Sequence, residues 1–107
     1  MVIREEIEKL VDRMNGSPDP IRNLQAVYQF DFGEGNTLQV RFKGGKAELV
    51  DGAPYPPDCK LILTEDTMRR LMTRRLNAAA AYMEGKLKME GKMTVAFRLQ
   101  EVLKSYV

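Results

Sequence analysis

Between residues 25 and 51 the sequence alternates apolar and polar side chains, and two glycine-containing turns interrupt the alternation. A period of two is typical of strands that bury one face of a sheet and expose the other. The inward side chains of the first two strands are Ala26, Tyr28, Phe30 and Phe32, then Leu38, Val40 and Phe42, while Gln39 points outward. Gly44-Gly45 is typical of a hairpin turn, and residues 46–51 form the third strand. This segment predicts an antiparallel meander whose apolar face needs a cover.

A helix is predicted before the meander, because apolar side chains recur there at intervals of three and four residues. These side chains are Ile3, Ile7, Leu10, Val11 and Met14. Asn15-Gly16 ends this helix, and the two prolines within residues 17–20 prevent it from resuming. After the meander, residues 52–58 contain three prolines, which exclude a central strand and predict a loop.

Beyond that loop, the pattern predicts a fourth strand over residues 59–63 and a helix capped by Thr64. The apolar stripe of this helix consists of Met68, Leu71, Met72 and Leu76. Asn77 can cap a second, alanine-rich helix over residues 78–83, which Gly85 ends.

The remaining residues predict a fifth strand over residues 86–90, broken by Gly91, and a last helix over residues 92–105. Leu87 and Met89 point inward from that strand. The predicted fold class is therefore α+β, a five-stranded, mostly antiparallel sheet with helices on one face, in the order α-β-β-β-β-α-α-β-α.

Composition excludes several kinds of active site. The chain has no histidine and one cysteine, Cys59, so zinc and haem sites lack their usual ligands and histidine-based catalysis is impossible. No Asp/Glu cluster indicates a magnesium site, so we predict no metal, no cofactor and no enzyme. The lone cysteine, together with the lack of a signal peptide and of a membrane-length apolar run, predicts a cytoplasmic protein.

Charge is distributed unevenly along the chain. Residues 59–107 carry ten Lys or Arg against five Asp or Glu, a surplus that can attract anionic lipid head groups, acidic ligands or nucleic acid. Nucleic-acid binding is not favoured, because the basic helix around residues 69–75 lacks aromatic stacking partners. The segment from Gly85 to Gly91 is not a phosphate loop, because five residues separate the glycines and Lys92 precedes a methionine rather than a hydroxyl residue.

The last predicted helix is apolar over most of its circumference. Its apolar residues are Met93, Val95, Ala96, Phe97, Leu99, Val102, Leu103 and Tyr106. Such a helix is either enclosed in a core or lines an apolar space. Five methionines lie between residues 68 and 93, and flexible thioethers suit both a methionine-rich core and a cavity for variable apolar guests. Composition leaves both interpretations open.

Residues 58–104 resemble the sterol carrier protein 2 family of lipid-transfer domains. The family pattern has Asp-Cys at a strand start, a helical Leu-Met-Thr-Gly-Lys, an Asn cap, an aromatic residue before Gly-Lys-Leu-Lys, then Gly-Asp/Asn-Met and a helix with Lys-Leu. The matching residues here are Asp58-Cys59, Leu71-Met72-Thr73, Asn77, Tyr82, Gly85-Lys86-Leu87-Lys88, Gly91-Lys92-Met93 and Arg98-Leu99. This chain departs from the pattern with Ala78-Ala79 in place of Pro-Gln, with Phe97, and with an end that lacks the peroxisomal tripeptide.

The resemblance implies that residues 1–107 are a single domain enclosing an apolar tunnel between the sheet and the C-terminal helices. It implies non-catalytic binding and transfer of a fatty acyl chain, acyl-CoA, phospholipid or sterol-like molecule. The predicted lining is Met68, Leu71, Met72, Ala79, Met83, Leu87, Met93, Phe97 and Leu103, and the predicted contacts with a head group or an anionic membrane are Arg69, Arg70, Lys86 and Lys88. An alternative is the same fold with a filled core, which would serve protein–protein association or a homodimer.

Overall fold

The computed structural model describes residues 2–107, and all of its elements follow the predicted order. They are α1 (Ile3–Gly16), β1 (Ala26–Asp31), β2 (Thr37–Lys43), β3 (Lys46–Asp51), β4 (Cys59–Leu63), α2 (Glu65–Met72), α3 (Ala78–Met83), β5 (Leu87–Gly91) and α4 (Met93–Leu103). A short 3-10 turn at Asp19–Ile21 is the only addition within this range. The predicted α+β fold class is confirmed.

The five strands form one sheet in the order β3-β2-β1-β4-β5. β1 and β4 run parallel, while the other neighbouring strands run antiparallel. Phe30 pairs with Leu38 on one side and with Leu61 on the other, and Leu61 pairs with Met89. Because paired residues share a face, an apolar row crosses the sheet. α1 covers this face at β3, and α4 covers it at β4 and β5.

The opposite face of the sheet is less exposed than the alternation predicts. Gln39 is completely buried, because residues 52–58 fold back over it. Its amide nitrogen donates to Gln29 Oε1 at 2.9 Å and to the Tyr55 carbonyl at 2.7 Å, and its Oε1 accepts from the Tyr55 amide at 3.1 Å. The Arg41 guanidinium lies 4.6 Å from the centre of the Tyr55 ring. The predicted loop therefore acts as a cover for the polar face.

Element ends differ from the prediction at three points. The fifth strand continues through Gly91, because this residue pairs with Cys59 rather than breaking the strand. α2 ends at Met72, which places Leu76 in the connection after the helix, since Arg74 adopts a φ of 60° that no helix can continue. α4 ends at Leu103, and the residues after it form turns.

Candidate functional site

A cavity of about 510 Å³ lies between the inner face of the sheet and helices α2, α3 and α4. This volume falls within the range of roughly 300–1,000 Å³ that small-molecule sites occupy. Its floor consists of Phe30, Leu61, Leu87 and Met89, which β1, β4 and β5 present. The strand alternation explains this floor, because every second side chain of each strand points to the same face.

The walls of the cavity are also apolar. They consist of Met68 and Leu71 from α2, Leu76 from the next connection, Ala78 and Ala80 from α3, and Ala96, Leu99 and Leu103 from α4. Three alanines in these walls leave space that larger side chains would fill. Because the walls and floor offer few polar groups, the interior suits a hydrocarbon guest.

Side-chain caps and cross-links position the three helices around the cavity. Thr64 Oγ1 accepts from the Thr67 amide at 3.1 Å, and Asn77 Oδ1 accepts from the Ala80 amide at 2.7 Å, so α2 and α3 begin where the sequence predicts. The Ala78 amide donates to Gln100 Oε1 at 2.6 Å, which joins the start of α3 to α4.

The first turn of α4 is fixed to the sheet by Tyr28. The Tyr28 hydroxyl donates to the Val95 carbonyl at 2.6 Å, and the Tyr28 side chain is completely buried. Burial raises the pKa of this phenol above its ordinary value of 10.0. The hydroxyl therefore stays protonated and holds α4 beside the floor of the cavity.

The polar side chains of the cavity wall come from two places, the α2–α3 connection and the C-terminal part of α4. They are Arg74, Arg75, Asn77, Gln100 and Lys104, and no acidic side chain of the described residues 2–107 lines the cavity. The three cations are exposed, so they mark the side at which the cavity meets solvent. Their common charge makes this mouth attractive to an anion.

The three cations differ in their partners. Arg74 Nη1 lies 3.4 Å from the Val107 carbonyl oxygen, and Lys104 Nζ lies 3.1 Å from Glu101 Oε1. Within residues 2–107 the Arg75 guanidinium forms no hydrogen bond or ion pair, so its donors face solvent beside the cavity. Arg75 is therefore the cation at the mouth that is best placed to receive an anionic group.

The structure brings four of the nine predicted lining residues into the cavity wall: Met68, Leu71, Leu87 and Leu103. Met72 is buried in the core but lies outside the wall, and Ala79, Met83, Met93 and Phe97 are exposed. The rotation of α4 about its axis explains why Met93 and Phe97 are exposed. Ala96, Leu99 and Leu103 share the inward face, and the side chains at 93 and 97 lie on another face. Since α4 is apolar on both sides, periodicity could not indicate which side faces inward.

The four cations predicted to contact a head group or membrane lie outside the cavity wall. Arg69 Nε contacts Glu6 Oε2 at 2.6 Å, Arg70 Nε contacts Asp66 Oδ2 at 3.1 Å, and Lys86 Nζ contacts Glu84 Oε1 at 3.3 Å. Lys88 is exposed on β5, where it pairs in register with Ile62 on the opposite side of the sheet from the cavity. A contact with an external surface is still open to these side chains.

The sequence prediction did not include the cations that line the mouth. Arg74 and Arg75 read as part of a continuous basic helix, and only the left-handed turn at residue 74 brings them to the cavity. The alternation predicts an inward Phe30, whereas Leu61 is predicted only to lie in the fourth strand, and the sequence does not reveal that the two strands are neighbours. The parallel pairing of β1 with β4 was the missing information.

Groups that could support other chemistry are sparse. Within residues 2–107, no three His, Cys, Asp or Glu side chains come together as a metal site. Cys59 is buried, and burial, with a smaller effect of the Asp58 charge, raises the pKa of its thiol above 9.0, which disfavours the reactive thiolate. In the same part of the chain, none of the helices has the length and apolar character needed to cross a membrane.

Comparisons with a family model and with curated proteins agree on one family. The model of the SCP-2 sterol transfer family matches residues 7–104. Sterol carrier protein 2 of Rattus norvegicus is 26% identical over 106 residues, which cover 94% of this chain and 19% of the rat protein. Hydroxysteroid dehydrogenase-like protein 2 of Mus musculus is 32% identical over 92 residues, which cover 81% of this chain and 18% of the mouse protein. The chain thus spans about a fifth of the length of these curated relatives.

A solved structure shares the fold over the whole chain. Sterol carrier protein 2 of Aedes aegypti, in complex with the C16 fatty acid palmitate, superimposes with a TM-score of 0.77 at 21% identity, covering 100% of this chain and 99% of the mosquito protein. The fold and the match of the family model over nearly the full length agree with the resemblance seen in the sequence. The chain belongs to the SCP-2 sterol transfer family.

Proposed function

We propose that this chain binds an apolar lipid in the cavity beneath α2, α3 and α4 and transfers it without catalysis. The observation that carries this proposal is a space of about 510 Å³ with an apolar floor and walls and a polar mouth. The family description and the palmitate complex of the Aedes aegypti protein support it. This open space favours a ligand cavity over the alternative of a filled core.

The charge of the mouth narrows the choice among a fatty acyl chain, an acyl-CoA, a phospholipid and a sterol-like molecule. Arg74, Arg75 and Lys104 suit an anionic head group, whereas a sterol offers them only a hydroxyl. We therefore favour a fatty acid or another anionic acyl lipid as ligand. The hydrocarbon chain would lie against Met68, Leu71, Leu87 and Leu103 and the strand residues below them.

The energetics of burial permit both uptake and release. Each buried methylene contributes about 0.8 kcal/mol, so a chain of ~15 methylenes contributes on the order of 12 kcal/mol relative to water. A bilayer offers nearly the same stabilisation, so exchange between membrane and cavity is close to balanced. Arg69, Arg70, Lys86 and Lys88 are proposed to contact an anionic membrane during that exchange. The cytoplasmic location and the absence of nucleic-acid and cofactor partners stay predictions.

Two neighbouring alanines of α3 provide a matched test. Ala80 lines the cavity and Ala79 faces solvent, so Ala80→Trp fills the cavity while Ala79→Trp adds the same side chain outside it. Palmitate is titrated calorimetrically into each purified protein after delipidation. We expect Ala80→Trp to weaken binding by about tenfold or more, a change of about 1.4 kcal/mol, and Ala79→Trp to bind like the parent chain.

Two results would refute the proposal. The first is the absence of palmitate binding to the parent chain, with no apolar ligand seen by native mass spectrometry. The second is equal binding by both tryptophan variants, which would move the ligand away from the α3 wall. Circular dichroism of each variant confirms that the comparison is made between folded proteins.

A further inference from the structure

α3 separates the cavity from solvent with a single layer of side chains. Ala78 and Ala80 line the cavity, whereas Ala79, Tyr82 and Met83 are exposed on the other side. Met83 is 85% exposed and Tyr82 is 50% exposed, and α3 contains no charged residue. A helix that is apolar on its solvent side as well as its inner side lacks a partner for the outer face.

The charges on either side of α3 indicate what that partner is. Arg74 and Arg75 precede the helix and Lys86 follows it, while Lys88 lies on the opposite side of the sheet. The one acid between residues 73 and 89 is Glu84, which is paired with Lys86 at 3.3 Å. An apolar face flanked by cations matches the interface of an anionic bilayer, where apolar side chains enter the acyl boundary and lysines contact head groups.

We propose that the outer face of α3, formed by Ala79, Tyr82 and Met83, docks onto an anionic membrane surface. The α3 wall of the cavity then faces the bilayer instead of water, with its two cationic flanks on the head groups. This inference rests on the proposed function, because a lipid carrier must meet a membrane to exchange its ligand. It adds the surface through which the encounter occurs.

A second copy of the chain fits this face less well than a membrane does. Two copies meeting through α3 would bring cationic flanks together, and like charges across an interface disfavour association. The apolar face is also short, so apolar burial and attraction of the flanking cations must act together. Docking should therefore require anionic lipid and should weaken as salt rises.

A single introduced tryptophan can report on this contact, because the chain contains no natural tryptophan. Met83→Trp places the reporter on α3, and Phe97→Trp places it at an exposed apolar position of α4 as the matched control. Each protein is mixed with vesicles of equimolar phosphatidylserine and phosphatidylcholine, or of phosphatidylcholine alone. We expect the emission of Met83→Trp to shift to shorter wavelength only with phosphatidylserine, and that of Phe97→Trp to stay unchanged.

A second variant tests the charged flank. Arg75→Gln combined with Lys86→Gln should weaken vesicle binding of Met83→Trp by about tenfold, because each cation near an anionic surface contributes to binding. Unshifted emission of Met83→Trp with phosphatidylserine vesicles would overturn the inference, as would an equal shift of Phe97→Trp. A concentration-dependent shift without vesicles, with a dimeric mass in sedimentation, would assign the face to a second copy instead.

The failure of docking can be told apart from the failure of lipid binding. Palmitate is titrated into Met83→Trp in solution without vesicles. If palmitate binds but the emission does not respond to anionic vesicles, the docking surface is wrong while the proposed function stands. If palmitate binds neither to this variant nor to the parent chain, the proposed function fails. The docking inference then fails too, because it rests on that function.

Discussion

Arg74 adopts a φ of 60°, the left-handed conformation, at the end of α2. This conformation costs a residue with a Cβ atom roughly 1–2 kcal/mol, which is why glycine is the usual residue there. The family pattern has glycine after Leu-Met-Thr, and this chain has arginine after Leu71-Met72-Thr73. Because Arg74 also lines the cavity mouth, we interpret the strained arginine as serving the ligand rather than the fold.

Replacing this arginine separates the two roles. Arg74→Gly should raise the free energy of unfolding by about 1 kcal/mol, because glycine adopts the left-handed conformation without strain. The same variant should bind palmitate more weakly, because one cation of the mouth is lost. Urea unfolding and calorimetric titration measure the two effects.

Arg75→Gly is the matched control, since Arg75 does not have a positive φ. It should lower the free energy of unfolding slightly, because glycine increases the conformational freedom of the unfolded chain. If both glycine variants changed stability in the same direction, the interpretation of residue 74 as strained would be wrong.

The buried phenol of Tyr28 predicts a dependence of stability on alkaline pH. Burial raises the pKa of Tyr28, so above a pH of about 10 the unfolded chain loses a proton that the folded chain retains. Ionisation of Tyr28 therefore leaves the free energy of unfolding unchanged below that pH and lowers it as the pH rises further. Burial also raises the pKa values of Cys59 and Tyr106, which adds to the decrease.

Tyr28→Phe tests this account in two conditions. At neutral pH the variant should lose about 1 kcal/mol of stability with the hydrogen bond to Val95. Between about pH 8 and about pH 11 it should lose less additional stability than the parent chain, because it lacks the phenol whose pKa burial raises. Urea unfolding at the two pH values measures both changes, and equal alkaline losses in the two proteins would exclude Tyr28 as a source.

At the scale of elements, strands and helices could be predicted from the sequence more fully than their ends and contacts. The alternation around Tyr28 and the caps Thr64 and Asn77 are local signals, so the structure reproduces them. The end of the fifth strand depends on a contact distant in sequence. A Cβ atom at Gly91 would lie 2.6 Å from the Asp58 carbonyl oxygen, so glycine permits close approach of β5 to β4 instead of breaking the strand.

Gly91→Ala should therefore lower the free energy of unfolding by about 2–3 kcal/mol, since the carbonyl must move and the φ of 99° is strained for alanine. Gly16→Ala is the control, because a Cβ atom there meets nothing within 4 Å and its φ is not positive. Thermal unfolding should show a clearly lower midpoint for Gly91→Ala and a nearly unchanged one for Gly16→Ala. Similar midpoints for the two variants would remove Gly91 as a site of close packing.

At the scale of the whole molecule, the cavity results from the way helices are divided over the sheet. α1 covers β3 at one end of the sheet, whereas at the other end α4 stands over β4 and β5 and the short, alanine-rich α3 stands over β5. The sequence allows a prediction of the sheet and of an apolar region near its end, because both follow from periodicity. It does not reveal which side of α4 faces inward, since Leu99 and Phe97 are equally apolar and only tertiary packing distinguishes them.

The central claim is that an aliphatic chain enters the space above Leu61 and Leu87, and a spin-labelled ligand tests it most directly. A palmitate analogue with a nitroxide near its methyl end is added to isotope-labelled protein, and methyl NMR signals are followed. We expect the signals of Leu61, Leu87 and Leu99 to broaden, because these residues line the cavity, and those of Ile7 and Val11 on α1 to remain sharp. Broadening confined to the exposed side chain of Met83, with the cavity leucines unaffected, would contradict the account.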